Sequence, residues 1–281
     1  TVKKDLLGSK YSFKLIYDNA NNIIRQDIRL NDTVTFKTIN VKVGLKDSKN
    51  KSLIGAEVYY HSKGWKYFGE INNTFVSKQL IPRKYTFRIV YDNVSYSKKQ
   101  DISKNNTVIF LMKNITVKFV DSNNKPIENA SIFYHAGSWK YFGNTNKSGL
   151  IKKDLVPRKY TFKLFYDGAN VRKRQDIRNN PVVEFSTKNV TVNFFDSNNN
   201  PISGGNITYH SSGWKTFGIT DDNGSVKKEM IERKYTFRLK YDGAYNSIRK
   251  DVRLNRIVNF SLANITIRFQ TNDGILLKNS S

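Results

Sequence analysis

The three histidines, His61, His135 and His210, each stand four residues ahead of a tryptophan, Trp65, Trp139 and Trp214. A zinc centre needs three or four nitrogen or sulfur ligands brought together. One histidine per 74 or 75 residues and no cysteine does not supply them. These histidines are expected to be structural, at strand ends. Nucleophilic catalysis asks for a Ser or Cys beside a base that a third group orients. The chain has no Gly-x-Ser-x-Gly elbow and singles out no His–Asp pair. Paired carboxylates would serve glycoside cleavage. Asp92, Asp167 and Asp242, however, each end the same strand motif, where aspartate is an ordinary turn residue. Asp221-Asp222-Asn223-Gly224 has a calcium-loop look, but Lys227 and Lys228 follow where an acid should close the loop. That stretch reads as a hairpin turn. Whatever one copy of the pattern carries its sisters carry too, so no enzyme and no cofactor is expected.

Binding chemistry is better represented. The net charge is +25, from 48 Lys/Arg against 23 Asp/Glu. It is spread along the chain: residues 114–188 hold 14 Lys/Arg and 6 Asp/Glu. Such a surface attracts polyanions in a salt-dependent way. The basic residues that recur on one strand, its entry turn and the strand after it are Arg83, Lys84 and Arg88 in the first copy. In the second they are Arg158, Lys159, Lys163, Arg172, Lys173 and Arg174, and in the third Arg233, Lys234, Arg238, Arg249 and Lys250. No base-stacking motif or helix-turn-helix accompanies them, so specific nucleic-acid recognition is not expected. Anionic polysaccharide, an anionic cell wall or an acidic partner module fits better. The tryptophans have two readings, an exposed platform for sugars or an aromatic plug for the end of a small core, and the plug is preferred. Fourteen Asn-x-Ser/Thr acceptors suit a glycosylated extracellular protein, with Asn114, Asn189, Asn264, Asn129 and Asn206 the leading candidates.

Behind these residues stands a repeat. KYSFKLIYD from Lys10, KYTFRIVYD from Lys84, KYTFKLFYD from Lys159 and KYTFRLKYD from Lys234 lie 74, 75 and 75 residues apart. Apolar residues alternate in each, as at Tyr160, Phe162 and Leu164, which is the period of a strand with one buried face. Lys159 and Lys163 should therefore face solvent. The second copy reads as strands at 114–121, 130–135, 139–143, 150–155 and 159–166, with a final pair at 171–177 and 182–185. No segment keeps helical spacing over ten residues. Six or seven short strands with turns every 8–12 residues predict an all-β chain of tandem antiparallel β-sandwich modules, Ig-like and about 75 residues each. The phase predicts full modules at 40–113, 114–188 and 189–263, a C-terminal half-module at 1–39 and the first strand of another at 264–281. With no Pro-, Gly- or Ser-rich linker, a semi-rigid linear array follows.

Asp121-Ser-Asn-Asn-Lys-Pro-Ile-Glu-Asn-Ala130, a Thr-x-x-x-Gly turn and Leu155-Val-Pro-Arg-Lys-Tyr160 resemble the carboxypeptidase-regulatory-like and CnaB-like sandwiches. The resemblance covers the first two-thirds of each copy. It implies a prealbumin-like fold and a stalk or adhesin segment of a prokaryotic surface protein. CnaB-like domains can also carry a Lys–Asn isopeptide bond, for which Lys118 is the lysine by position, although Gly44 and Asn193 stand there in the sister copies.

No run of 18 apolar residues is present, so no membrane-spanning helix is expected. The chain reads as a mature product or a piece of something longer. The expected function is a non-enzymatic rod, stalk or filament at the cell surface, with neighbouring copies or other surface proteins as partners. The alternative is an array whose basic faces hold anionic polysaccharide or, non-specifically, nucleic acid. The two end pieces suggest a sharper expectation. Strand 264–271, with Ile265, Ile267 and Phe269, would complete the fragment 1–39 of the next subunit, head to tail, although 39 and 18 residues fall short of 75.

Overall fold

The computed structural model describes residues 1–276, and every regular element in it is a strand. In the second module these are β11 (Lys113–Val120), β12 (Ser131–Ala136), β13 (Ser138–Asn144), β14 (Leu150–Leu155), β15 (Lys159–Tyr166), β16 (Ala169–Asp176) and β17 (Val182–Ser186). They form two sheets, ordered β14-β11-β17 and β13-β12-β15-β16. Alternation decides which side chains meet between them. Ile115, Val117 and Phe119 of β11 and Tyr160, Phe162 and Leu164 of β15 are all buried, as the sequence pattern predicts. Lys159 is exposed on the opposite face.

One detail differs from the sequence reading. β16 and β17 are not partners: β16 pairs antiparallel with β15, while β17 crosses to the other sheet and pairs parallel with β11. Val183 and Phe185 thereby enter the core from the sheet that β16 does not join.

The third module repeats this plan with β18 (Lys188–Phe195), β19 (Asn206–His210), β20 (Trp214–Ile219), β21 (Ser225–Met230), β22 (Lys234–Tyr241), β23 (Ala244–Asp251) and β24 (Ile257–Ser261). The first does so with β3 (Ile39–Lys46), β5 (Ala56–His61), β6 (Trp65–Ile71), β7 (Val76–Leu80), β8 (Lys84–Tyr91), β9 (Val94–Asp101) and β10 (Thr107–Leu111), plus the short β4 (Ser52–Leu53). Ahead of it β1 (Lys10–Tyr17) and β2 (Ala20–Asp27) make a lone hairpin.

Each module carries Trp-Lys-x-Phe-Gly, at 65–69, 139–143 and 214–218, and its glycine has a steric reason. Gly69, Gly143 and Gly218 sit at positive φ beside a register shift between an edge strand and its inner neighbour. A Cβ on Gly69 or Gly218 would come within 2.5 Å of the Val76 or Val226 side chain. Only glycine fits both the backbone and the contact.

Candidate functional site: the joints between modules

Consecutive modules are joined by a single residue, Met112 between β10 and β11 and Thr187 between β17 and β18. Met112 N–H donates to Lys46 O (2.8 Å) and Thr187 N–H to Val120 O (3.0 Å), so even that residue is tied to the module before it. The Tyr-Asp that ends each KYTF strand then does something the sequence reading did not assign. Asp92-Asn93 and Asp167-Gly168 are the two central residues of tight hairpins and both have positive φ. This is the turn geometry that suits the twist of paired strands. It points the aspartate off the tip of the module, into the next one.

At the second joint Asp167 Oδ1 accepts from Lys215 Nζ (2.7 Å) and Oδ2 from the Tyr209 hydroxyl, and Asp167 O accepts from Ser211 Oγ at 3.4 Å. At the first joint Asp92 Oδ2 accepts from Tyr134 Oη (2.8 Å), and Lys140 Nζ bonds both Asp92 Oδ1 and Asp92 O, the latter at 3.0 Å. The lone hairpin docks on the first module in the same manner, Lys66 bonding Asp18 and Ser62 Oγ donating to Asp18 O at 3.1 Å. The lysine in each case is that of the Trp-Lys mark. The Tyr-Asp end of one KYTF strand and the Trp-Lys pair of the next module thus hold one another across the joint.

Burial by itself would raise the carboxyls of Asp92 and Asp167. The lysine and tyrosine donors outweigh it and hold both below the usual carboxylate range. Tyr134 and Tyr209 are pushed up, by burial first and by the neighbouring carboxylate second. The residue after each tip adds apolar contact: Val94 and Ala169 are buried, while Ala244, at a tip with no described module beyond it, is exposed. Val94 belongs to the apolar cluster of the second and third modules rather than to that of its own.

A second clasp lies on the other sheet. Ser48 of the first module's Asp47-Ser-Lys-Asn turn donates N–H and Oγ to Asp154 of β14, at 2.8 and 2.9 Å. Ser122 of the equivalent turn donates N–H to Glu229 of β21 at 3.2 Å and also bonds it through Oγ. Asn114 Nδ2 completes the first of these at 2.7 Å from Asp154 Oδ1. Burial would raise Asp154 as well, and the donors from Ser48 and Asn114 hold it low.

The residues singled out in the sequence fall elsewhere. The tryptophans are not core plugs. They lie on the outer face of the four-stranded sheets, Trp65 39% and Trp214 43% exposed, because their register sets them opposite the outward-facing His61, His135 and His210. His61, His135 and His210 meet their rings edge-on at 5.3–5.4 Å. Arg88, Lys163 and Arg238 sit over the same rings. Arg83, Arg158 and Arg233 instead cover Tyr85, Tyr160 and Tyr235 at 5.2–5.5 Å. Lys84, Lys159, Arg174 and Arg249 are outward-facing with Thr residues across from Arg174 and Arg249, but Lys173 and Lys250 are not part of that face. Their register sets them opposite Phe162 and Tyr235, toward the second sheet, and Lys173 Nζ donates to Glu184 O at 3.1 Å. Lys118 is solvent-facing and pairs with Glu184 at 3.8 Å, a carboxylate where an isopeptide bond would need an asparagine. Asp221 accepts the amides of its own turn, Asn223 N–H at 3.1 Å and Ser225 N–H at 3.0 Å. Asn114, Asn129, Asn189, Asn206 and Asn264 are all exposed.

One signal for the joints was present in the sequence. Asp18, Asp92, Asp167 and Asp242 are the same in all four copies, while the residue after them is Asn in the first two and Gly in the last two. A turn alone does not require that aspartate four times.

No family model and no curated protein matches this chain. Among solved structures it is similar to the Bacillus anthracis TIE protein, at 15% identity and TM-score 0.24 over 88% of this chain and 52% of that one. It is similar to BcpA, the major pilin subunit of Bacillus cereus, at 14% identity and TM-score 0.25, over 80% of this chain and 99% of that one. A streptococcal ancillary pilin is alike at 11% and 0.24, over 80% and 99%. Scores of that size mean that the chains do not superpose as wholes. The chain spans about half the length of the first of them. By the topology of its own sheets each module is a β-sandwich: in the second and third, three strands with one parallel pair face a four-stranded sheet, and in the first the short β4 adds a fourth strand to the smaller sheet.

Proposed function

We propose that this chain is a structural, non-enzymatic element of an extracellular, cell-surface rod or stalk, built from modules at 40–113, 114–188 and 189–263. The observation that carries the reading is the pair of clasps at each joint, placed on both sheets and flanking a one-residue connection. A hinge needs a stretch of backbone able to change φ and ψ. Here there is none to spare, and bending would break charge-assisted hydrogen bonds. Small-angle scattering of the full chain tests this: a stiff, elongated particle is expected, and a compact or freely jointed one would overturn it.

Head-to-tail assembly by strand complementation belongs to the same reading. Residues 264–269 join no strand among the described residues, and Ile265, Ile267 and Phe269 are exposed there. An unpaired apolar segment of this kind suits addition to the sheet of a neighbouring copy. Light scattering of a chain lacking residues 264–281 is expected to show lost association. Association equal to that of the full chain would remove the donor strand from the proposal.

A further inference from the structure

Two groups of arginines contrast. Arg29, Arg178 and Arg253 are neutralised: each guanidinium forks onto the aspartate two residues before it, with Nε and Nη2 contacts of 2.5–2.9 Å. Arg88 and Arg238 have no carboxylate within ion-pair distance among the described residues. They lie instead on the indoles of Trp65 and Trp214, guanidinium carbon to ring centroid 3.6 and 3.7 Å. In the second module Lys163 at 4.4 Å and Arg172 at 5.3 Å share Trp139 in the same role. A cation stacked on a ring is fixed in place, yet a guanidinium so stacked keeps its in-plane N–H donors for another partner. Arg88 offers only a long 3.4 Å contact from Nε to Ser97.

The surroundings favour an anion. In the register of the second module Trp139, Tyr141, Phe133, Lys163 and Arg172 share the outer face of one sheet, and none of them has an acidic neighbour on that face. The first module differs, because Glu57 stands on its outer face, hydrogen-bonded by Tyr59 at 2.8 Å.

We propose that each of these faces is a subsite for one carboxylated or sulfated sugar of an anionic polysaccharide. The anion takes the stacked cation, and the pyranose ring lies on the exposed part of the indole. Nucleic acid fits less well. A base needs a whole ring face to stack on, and the guanidinium already covers one face of Trp65 and of Trp214. The third module should bind more tightly than the first, whose Glu57 repels the ligand. This inference is independent of the rod, since scattering measures the one and ligand binding the other.

The test is titration of the full chain with dextran sulfate, with uncharged dextran and a single-stranded oligothymidylate as controls, read by tryptophan emission. Binding of dextran sulfate is expected to shift the emission, because the indole is part of the site. Arg88→Gln, Lys163→Gln and Arg238→Gln together should weaken binding by about tenfold or more, since each removes a charge-assisted contact. Lys104→Gln, Lys125→Gln and Lys147→Gln together remove the same charge elsewhere and should cost roughly threefold or less. Equal losses in the two triples, tighter binding of the oligonucleotide than of dextran sulfate, or unchanged emission on saturation would each overturn the proposal. The emission measurement on the unaltered chain stands even if a triple variant fails to fold.

Discussion

The two joints between full modules are built from the same motifs and close to different degrees. The first leaves a cleft of about 480 Å³, bordered by Asp92, Met112, Tyr134 and Asp154. The matching space at the second is about 10 Å³. The hairpin tip explains much of the difference. At the second joint it is Asp167-Gly168, and a Cβ on Gly168 would lie 2.6 Å from Ser212 Oγ and 2.7 Å from Ser211 O. Absence of a side chain is what lets that tip seat deeply. The first joint has Asn93 in the same left-handed conformation, with a side chain to accommodate, and Ala136 in place of Ser211. On the other sheet Glu229 reaches one methylene further than Asp154 and also binds Thr187, whose counterpart is Met112. How closely each joint shuts therefore rests on two or three side chains.

Acid should loosen both joints at once and has the largest expected effect. Asp92, Asp154 and Asp167 lie below the usual carboxylate range in the folded chain. Groups with depressed values stabilise fully above the unfolded value, near 4, and that contribution is lost as pH falls through the folded values. Scattering between pH 7 and pH 3 should show a rod that becomes flexible below about pH 4 while far-UV dichroism holds. Equal stiffness throughout would deny the clasps their role. Next in size is Asp167→Ala, which leaves the buried Tyr209 hydroxyl without its acceptor and should cost about 1–3 kcal/mol in thermal or urea unfolding. Asp92→Ala should cost less, because Tyr134, buried while Asp92 is present, would then open onto the cleft. Equal costs would mean that the cleft has no energetic meaning. Smaller again is Gly168→Asn. Asparagine tolerates the positive φ, so its expected penalty of about 1–2 kcal/mol comes from crowding Ser211 and Ser212. Asn93→Gly at the open joint should be near neutral, and crosslinking across each joint would report the gain or loss of flexibility.

How far the sequence disclosed this arrangement depends on the range of the interaction. Tyr160, Phe162 and Leu164 announce a buried strand face because alternation is a local signal, and the four copies repeat it. β17 was legible as a strand, but nothing local in Val182–Ser186 says that it crosses to lie parallel to β11. Asp92 and Asp167 looked like turn residues, which they also are. Their partners Tyr134, Lys140, Tyr209 and Lys215 lie 42 and 48 residues on, in another module. Only comparison among the copies marks them. The tryptophans misled because size suggests burial, whereas the strand register turned them outward and a cation covers one ring face.

The smallest prediction compares the same tyrosine at the two ends of the array. Tyr60, Tyr134 and Tyr209 are equivalent and nearly fully buried. The hydroxyls of Tyr134 and Tyr209 reach the tip aspartate, but that of Tyr60 has no partner among the described residues, since Asp18 is held by Lys66 and Ser62 alone. Removing a satisfied hydroxyl and removing an orphan have opposite signs. Tyr209→Phe strands the aspartate's second oxygen and should cost about 1 kcal/mol, whereas Tyr60→Phe deletes a group that was desolvated without return and should be neutral or gain a few tenths of a kcal/mol. Tyr134→Phe should fall between them, because the cleft allows Asp92 to be hydrated. Urea unfolding of the three single variants gives the order directly. If Tyr60→Phe proves as costly as Tyr209→Phe, the hairpin β1–β2 is held in solution by the same three-point contact as the later tips, and the joints are more alike than their geometry implies.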